Sequence, residues 1–496
     1  MSPCIKSVEK QPSTCNWSKG EGTTTTATTT MTPLPNKSQQ PLPLQPSSLI
    51  FNNNKTSSSS PAGAAVAAHR LSQISHHIMA SFSPPVFTAD VVPQAPEDPL
   101  FGLMAAYHRD SSNLKVDLGI GAYRDDQAKP WILPVIKKAD ERVRNDPNFN
   151  HEYLPIAGLS EYCLAAQRLV LGTESPAIKE NRVCTFQTIS GTGAVHLGAL
   201  FLSKFHPNQS HTKVYVSNPT WVNHHQIFGN VGWPIAIYPY FSTESKGLDI
   251  DGFLGTLKTA PEGSIILLHA CAHNPTGVDP TQEQWKQIAA VIIERRHFPF
   301  FDTAYQGFAS GDLARDGWAI RYFVELGLEL CIAQSFAKNF GLYGQRVGAF
   351  HFVSAPGAEA TGTNRRIFSQ LAILQRSEIS NPPAYGARIA NVVLNDPELF
   401  AQWEDDLRTM SGRISDMRKG LRKRLEARGT PGKWNHITDQ IGMFSFTGLT
   451  EPQVQILREK WHIYMIKNGR ISLAGLNSRN LDYVAEAFDD AIRETA

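Results

Sequence analysis

The chain of 496 residues reads as an α/β protein. Apolar, β-rich runs recur at KVYVS (213–217), SIILLH (264–269), HFPFFD (297–302) and LCIAQS (330–335). Amphipathic stretches such as TQEQWKQIAAVIIERR (281–296) lie between them. The runs are continuous rather than alternating, the pattern of parallel strands buried on both faces. In open sheets of this kind, ligands bind at the carboxyl ends of the strands. Trp221 follows the first run, Asn274 follows the second, Asp302 closes the third, and Ser335 and Lys338 end and follow the fourth. An aromatic ring, an amide, a carboxylate and an amine are therefore expected along one edge.

The length exceeds what one hydrophobic core usually organises, so two lobes are expected. The formal charge is +2, which gives no electrostatic basis for binding nucleic acid or an anionic membrane. Residues 1–78 carry six cationic against two acidic side chains, and the remainder is mildly acidic. The six cysteines, at 4, 15, 163, 184, 271 and 331, form no short CxxC pair. They read as reduced, mostly buried thiols of a reducing compartment, and no metal site is expected. No apolar run approaches the ~20 residues that cross a bilayer, and residues 1–30 lack the apolar core of a secretory signal.

Residues 1–78 are low in complexity, with TTTTATTT at 23–30, SSSS at 57–60 and five prolines between 33 and 46. Such a stretch buries too little apolar area to offset its ordering entropy, and it is expected to be disordered. Its Ser/Thr content and few acids are faintly those of a mitochondrial transit peptide. However, no arginine precedes Arg70 and no amphipathic helix starts near Met1. A cytosolic protein with a dispensable extension is the expectation, a mitochondrial one the alternative. From about 410, RISDMRKGLRKRLEAR gives a more polar, helical segment that reads as a second lobe.

Four segments carry candidate chemistry. In SFAKNFGLYGQRVG (335–348), Lys338 sits among Phe336, Ala337, Phe340 and Leu342, directly after a buried run. A lysine is ordinarily a solvated surface residue, but burial and neighbouring cations lower its pKa and make it nucleophilic. SGTGA (190–194) precedes an apolar-periodic helix, which makes a phosphate cradle of backbone N–H groups or a plain glycine turn. Asp302 ends its run with Tyr305 three residues on, and an aspartate there is either functional or a helix N-cap. HNPTG (273–277) offers an amide, or simply an Asn-Pro turn.

Together with VDLGIGAYR (116–124), HEYLPIAGL (151–159), NPTWVNHHQIF (218–228), PFFDTAYQGFASGDL (299–313), SNPPAYGARI (380–389), QIGMFSFTGL (440–449) and GRISLAGL (469–476), these segments resemble the aspartate aminotransferase family. The resemblance runs from about residue 100 to the C-terminus. It implies the fold type I architecture of pyridoxal-5′-phosphate enzymes, with a large domain built on a mostly parallel seven-stranded sheet and a smaller α/β domain. It divides the chain into the 1–78 extension, an arm with the first part of the small domain (79–130), a large cofactor-binding domain (131–409) and a C-terminal small domain (410–496).

By the same resemblance, Lys338 is the Schiff-base lysine. Asp302 pairs with the pyridine nitrogen, and Tyr305 and Asn274 bond the ring's 3′-oxygen. Trp221 stacks on the ring, and His224 supports Asp302. Ser190, Gly191, Thr192, Ser335 and Arg346 hold the phosphate, joined by Tyr153 of a neighbouring subunit. Arg470 clamps the substrate α-carboxylate, and Arg376 takes the distal carboxylate across the interface of a homodimer. Gly121 admits the substrate and Phe444 lines its pocket. The implied reaction is a ping-pong transamination between L-aspartate and 2-oxoglutarate, with small dicarboxylic amino acids and 2-oxo acids as substrates. An aromatic or broad-range aminotransferase, or a catalytically idle scaffold, is the alternative. Two departures stand out: Ala337 replaces a common serine before the lysine, and RSEIS (376–380) replaces the commoner RPMYS.

Overall fold

The computed structural model describes residues 61–80, 86–96, 98–207 and 209–495. The chain divides into two units, Met1–Gln94 and Ala95–Ala496. In the first, a helix spans Pro61–Ala80. This corrects the expectation of disorder for 61–78. The segment PAGAAVAA is alanine-rich with a proline at the first helical position, so local propensity suffices to form a helix. The rest of the expected disordered stretch, residues 1–60, lies outside the described residues.

The second unit is built on a seven-stranded sheet. Its strands are β1 (Val183–Ile189), β2 (Val214–Asn218), β3 (Ile235–Pro239), β4 (Ile265–His269), β5 (Phe298–Thr303), β6 (Leu330–Ser335) and β7 (Val347–Val353). They lie in the order β1-β7-β6-β5-β4-β2-β3. The pairs from β6 to β3 are all parallel, and β7 runs antiparallel to both of its neighbours. The four runs read from sequence are β2, β4, β5 and β6, and each is buried on both faces as expected. Along β4 and β5, Leu267 and Phe300 enter one core, while Leu268 and Phe301 enter the other. Helix Ser190–Phe205 covers the first face with Leu197 and Phe201. Helices Gln282–Glu294 and Trp318–Glu325 cover the second with Ile288 and Phe323. The first of these starts on a capping box of Thr281 and Gln284.

A third core joins helices Pro134–Arg144, Ala384–Asn395, Pro397–Ala427 and Leu481–Glu494. Two short two-stranded ladders border it. Val116–Asp117 pairs in parallel with Ile463–Tyr464, and Phe444–Phe446 pairs antiparallel with Arg470–Ser472. The boundary read at 409/410 falls inside the unbroken helix Pro397–Ala427, which Asp396 caps by accepting from the Glu398 and Leu399 amides. The charged pattern of 413–428 is thus the second half of a longer helix whose first half is more apolar.

Candidate active site

Strand direction gathers the site. The carboxyl ends of β4, β5 and β6 present Asn274, Asp302 and Ser335–Lys338 along one edge. Because β7 is antiparallel, it begins where β1 ends, with Val347 opposite Ile189 and Gly348 opposite Ser335. Arg346 and Ser190 therefore meet at that same edge, where the Ser190 amide donates to the Arg346 carbonyl at 3.2 Å. Both residues hold left-handed backbone, with φ of 60° at Ser190 and 54° at Arg346. Such conformations cost on the order of 1–3 kcal/mol and collect at functional sites.

The result is a cavity of ≈ 250 Å³. Of the residues singled out from sequence, its wall holds Gly121, Ser190, Gly191, Thr192, Trp221, Asn274, Asp302, Tyr305, Ser335, Lys338 and Arg346. Phe444 and Arg470 stand beside them. The Phe444 ring lies 6.5 Å from that of Tyr305, and the Arg470 guanidinium carbon lies 4.4 Å above the Phe444 ring. Tyr153 is 87% exposed, and Arg376 is exposed and donates to Ser380 Oγ. A single chain does not bring these two to the cavity. The wall also contains His269, Cys271, Ala304 and Tyr343, which sequence reasoning passed over. The position of His269 at the end of SIILLH was the available signal for it. Tyr343 offered none beyond its nearness to Lys338.

One end of the cavity suits an anion. Helix Ser190–Phe205 opens without a side-chain cap from its N-cap residue Ile189; the Arg346 carbonyl takes the Ser190 amide, which leaves the next amides, of Gly191 and Thr192, to meet a ligand. Ser190 Oγ lies 3.3 Å from Ser335 Oγ. A Cβ on Gly191 would stand 2.9 Å from Ser335 Cβ, so glycine is what permits this approach. Ser335 Oγ also accepts the Ala337 amide at 3.2 Å, in a loop where Ala337 itself brings no hydroxyl.

The other end is organised around a carboxylate. Asp302 is 12% exposed, and its Oδ2 lies 3.1 Å from His224 Nε2. Thr220 Oγ1 bridges His224 Nδ1 at 2.8 Å and His269 Nε2 at 3.2 Å, and the Asn274 backbone N–H donates to His269 Nδ1 at 3.3 Å. The Trp221 ring stands edge-on to His224 at 5.1 Å. Asp302 is the penultimate residue of β5 and caps no helix, so the N-cap reading of the sequence does not apply. Burial raises its pKa, but the His224 hydrogen bond and the charges of His224, His269 and Lys338 outweigh that and hold it below the usual carboxylate range. Lys338 Nζ lies 5.1 Å from the centre of the Tyr305 ring. Burial, helped by the Arg346 charge, pushes its pKa down against the opposing pull of Asp302. Burial likewise lowers the Arg470 pKa. Its Nη2 donates to the Gly119 carbonyl at 2.9 Å, while its Nε is buried without a partner.

This geometry sits on a chain with named likenesses. The family model described as "Aminotransferase class I and II" matches residues 113–488. The chain is 52% identical over 403 residues to the cytoplasmic aspartate aminotransferase of Schizosaccharomyces pombe, covering 81% of this chain and 98% of that protein. It is similar to the solved aspartate aminotransferase from Saccharomyces cerevisiae cytoplasm, at 50% identity and a TM-score of 0.80, covering 82% of this chain and 99% of that one. An aromatic-amino-acid aminotransferase from Burkholderia pseudomallei, solved covalently bound to pyridoxal phosphate, shares 40% identity at a TM-score of 0.78, over 82% of this chain and all of that one. With a matched model over most of its length and relatives at half identity, the chain belongs to the class I and II aminotransferases.

Proposed function

We propose that this protein is a pyridoxal-5′-phosphate-dependent aspartate aminotransferase, moving the amino group between L-aspartate and 2-oxoglutarate to give oxaloacetate and L-glutamate. The observation that carries the proposal is a desolvated amine, Lys338, facing an ionised carboxylate, Asp302, beside an uncapped helix N-terminus. That donor set fits the cofactor. The amides of Gly191 and Thr192 and the hydroxyls of Ser190 and Thr192, with Ser335 and Arg346, would hold its phosphate. Asp302, oriented by His224, holds its protonated ring nitrogen, Asn274 and Tyr305 bond the 3′-oxygen, and Trp221 covers the ring face. When bound, the cofactor supplies a carbonyl carbon that takes up amines and a ring that withdraws electrons from the substrate Cα.

The chain's own groups do the rest. Lys338 Nζ, its pKa lowered by burial, would anchor the cofactor until substrate displaces it, and would then take the proton from the substrate Cα. Asp302 stays ionised and so keeps the ring nitrogen protonated. Arg470 receives the α-carboxylate, which its unpartnered buried Nε awaits. Gly121 leaves room for the substrate against Phe444. A Cβ there would lie 3.3 Å from Phe444 Cζ. Arg376 takes the distal carboxylate in a homodimer, together with Tyr153, and the exposure of both in one chain supports their use by a partner subunit. Both substrates present the same two carboxylates, so one site serves both halves of a ping-pong cycle. The cytoplasmic relatives support a cytosolic location.

The test is a steady-state assay of the purified holoenzyme with aspartate plus 2-oxoglutarate, run beside phenylalanine and alanine as amino donors. A higher kcat/KM for phenylalanine than for aspartate would replace this reading with an aromatic aminotransferase, as the 40%-identical aromatic relative allows.

A further inference from the structure

Helix Pro397–Ala427 buries Leu407, Met410, Ile414, Leu421 and Leu425 at helical spacing. Arg418 occupies the same stripe and is 4% exposed. A cation in an apolar stripe is costly unless its donors are satisfied. Its Nη1 donates to the Ile437 carbonyl at 2.8 Å, and its Nη2 to Gly442 at 2.9 Å and Phe444 at 2.6 Å. Burial lowers its pKa, opposed by the Asp279 carboxylate. Both terminal nitrogens are thus spent on three carbonyls of one segment, 437–444, while Nε is buried without a partner.

That segment leads directly into the proposed substrate pocket. Phe444 begins the strand that pairs with Arg470–Ser472, with Phe446 opposite Arg470. The opposite side of the segment lies against the turn bearing Asn274. The Ile441 amide donates to the Gly277 carbonyl at 2.7 Å. Gly277 has φ of +69°, and a Cβ there would stand 2.6 Å from the Phe444 carbonyl oxygen. The Phe444 carbonyl is therefore held by a guanidinium and closely approached by Gly277, where a side chain would press on it. The ring it carries lies 4.4 Å beneath the Arg470 guanidinium.

We propose that Arg418 is a positioning residue for recognition of the substrate α-carboxylate, fixing the Phe444 backbone so that Arg470 is held at binding depth. This rests on the reading of Arg470 given above. Arginine's planar fork spans three carbonyls at once, which a lysine ammonium on a flexible stem does not reproduce.

The experiment uses holoenzyme carrying Arg418→Lys, Arg418→Gln, Arg470→Lys and the double variant Arg418→Lys/Arg470→Lys. KM and kcat are measured for aspartate and phenylalanine, thermal midpoints are recorded, and succinate affinity is read from the cofactor absorbance. The expected result is a KM and a succinate Kd raised about tenfold in Arg418→Gln, with kcat within about threefold, and a smaller rise in Arg418→Lys. Both amino acids should suffer alike, because both carry an α-carboxylate. In the double variant the rise should stay within about twofold of Arg470→Lys alone, since coupled residues are not additive. Gly277→Ala, which pushes the same carbonyl from the other side, should give the same KM signature even if an Arg418 variant fails to fold. Loss of thermal stability with unchanged KM would overturn the proposal, as would effects that multiply in the double variant. An unchanged KM in Arg470→Lys alone would refute the α-carboxylate clamp, and this inference with it.

Discussion

Replacing Asp302 with asparagine isolates the charge at the centre of the site. The amide is isosteric, and its oxygen still reaches His224 Nε2, 3.1 Å from the native Oδ2. What is lost is the negative charge facing a ring nitrogen in a site where Asp302 is 12% exposed. Breaking a buried ion pair on one side costs about 3–5 kcal/mol. At ~1.4 kcal/mol per tenfold, kcat/KM for aspartate should fall on the order of a hundred- to several-thousandfold. The cofactor should remain bound, since Ser190, Gly191, Thr192 and Arg346 are untouched, and the visible absorbance of the holoenzyme checks this in the same cuvette. A second readout has a definite sign. Asp302 raises the Lys338 pKa, so its removal leaves burial and Arg346 less opposed and should move that pKa further down. The pH midpoint for recapture of pyridoxal phosphate by the apoenzyme should therefore shift to lower pH. An Asp302→Asn enzyme that keeps its cofactor and more than about a tenth of wild-type kcat/KM would refute the electrostatic argument.

Further predictions follow the same reasoning. Lys338→Ala should keep the fold and lose more than a hundredfold of kcat, at least ~2.7 kcal/mol; steady-state rates and circular dichroism check both halves. Mixing Arg376→Ala with Arg470→Ala subunits should restore activity, because one site of the mixed dimer would hold both arginines; a mixture no better than its parents after proven exchange would place both arginines in one chain's site. Burial raises the Asp316 pKa to about 6, above its unfolded value near 3.8, so the folded protein binds more protons in between and loses stability as pH rises through that window. Asp316→Asn, which can still accept the Gly307 amide, should therefore gain thermal midpoint relative to wild type between pH 4 and pH 7, and a constant difference would contradict the shift. Deleting residues 1–78 should leave activity and melting unchanged, since the described helix residues there are exposed and belong to a separate unit; aggregation or cofactor loss would show the extension to be structural. The full chain fused to a fluorescent protein should stay diffuse in the cytosol rather than enter mitochondria.

The sequence by itself determined the elements that depend on local chemistry. Continuous apolar runs announced β2, β4, β5 and β6, because strands buried on both faces admit few polar residues. Their carboxyl ends located Asn274, Asp302, Ser335 and Lys338, because ligands bind where such strands stop. The alanine-rich start of helix Pro61–Ala80 was equally local, yet low complexity masked it. Strand order and the antiparallel course of β7 were decided only by the tertiary structure, because pairing joins residues far apart in the chain. That is why Arg346, which in sequence merely follows a loop, meets Ser190 at the head of antiparallel β7. The protonation states were likewise tertiary. Lys338 and Asp302 are an ordinary lysine and aspartate until burial and each other's field shift them. Arg418 makes the same point most sharply. In RISDMRKGLRKRLEAR it is one cation among many, and only the packing of helix Pro397–Ala427 against residues 437–444 turns it inward onto three carbonyls.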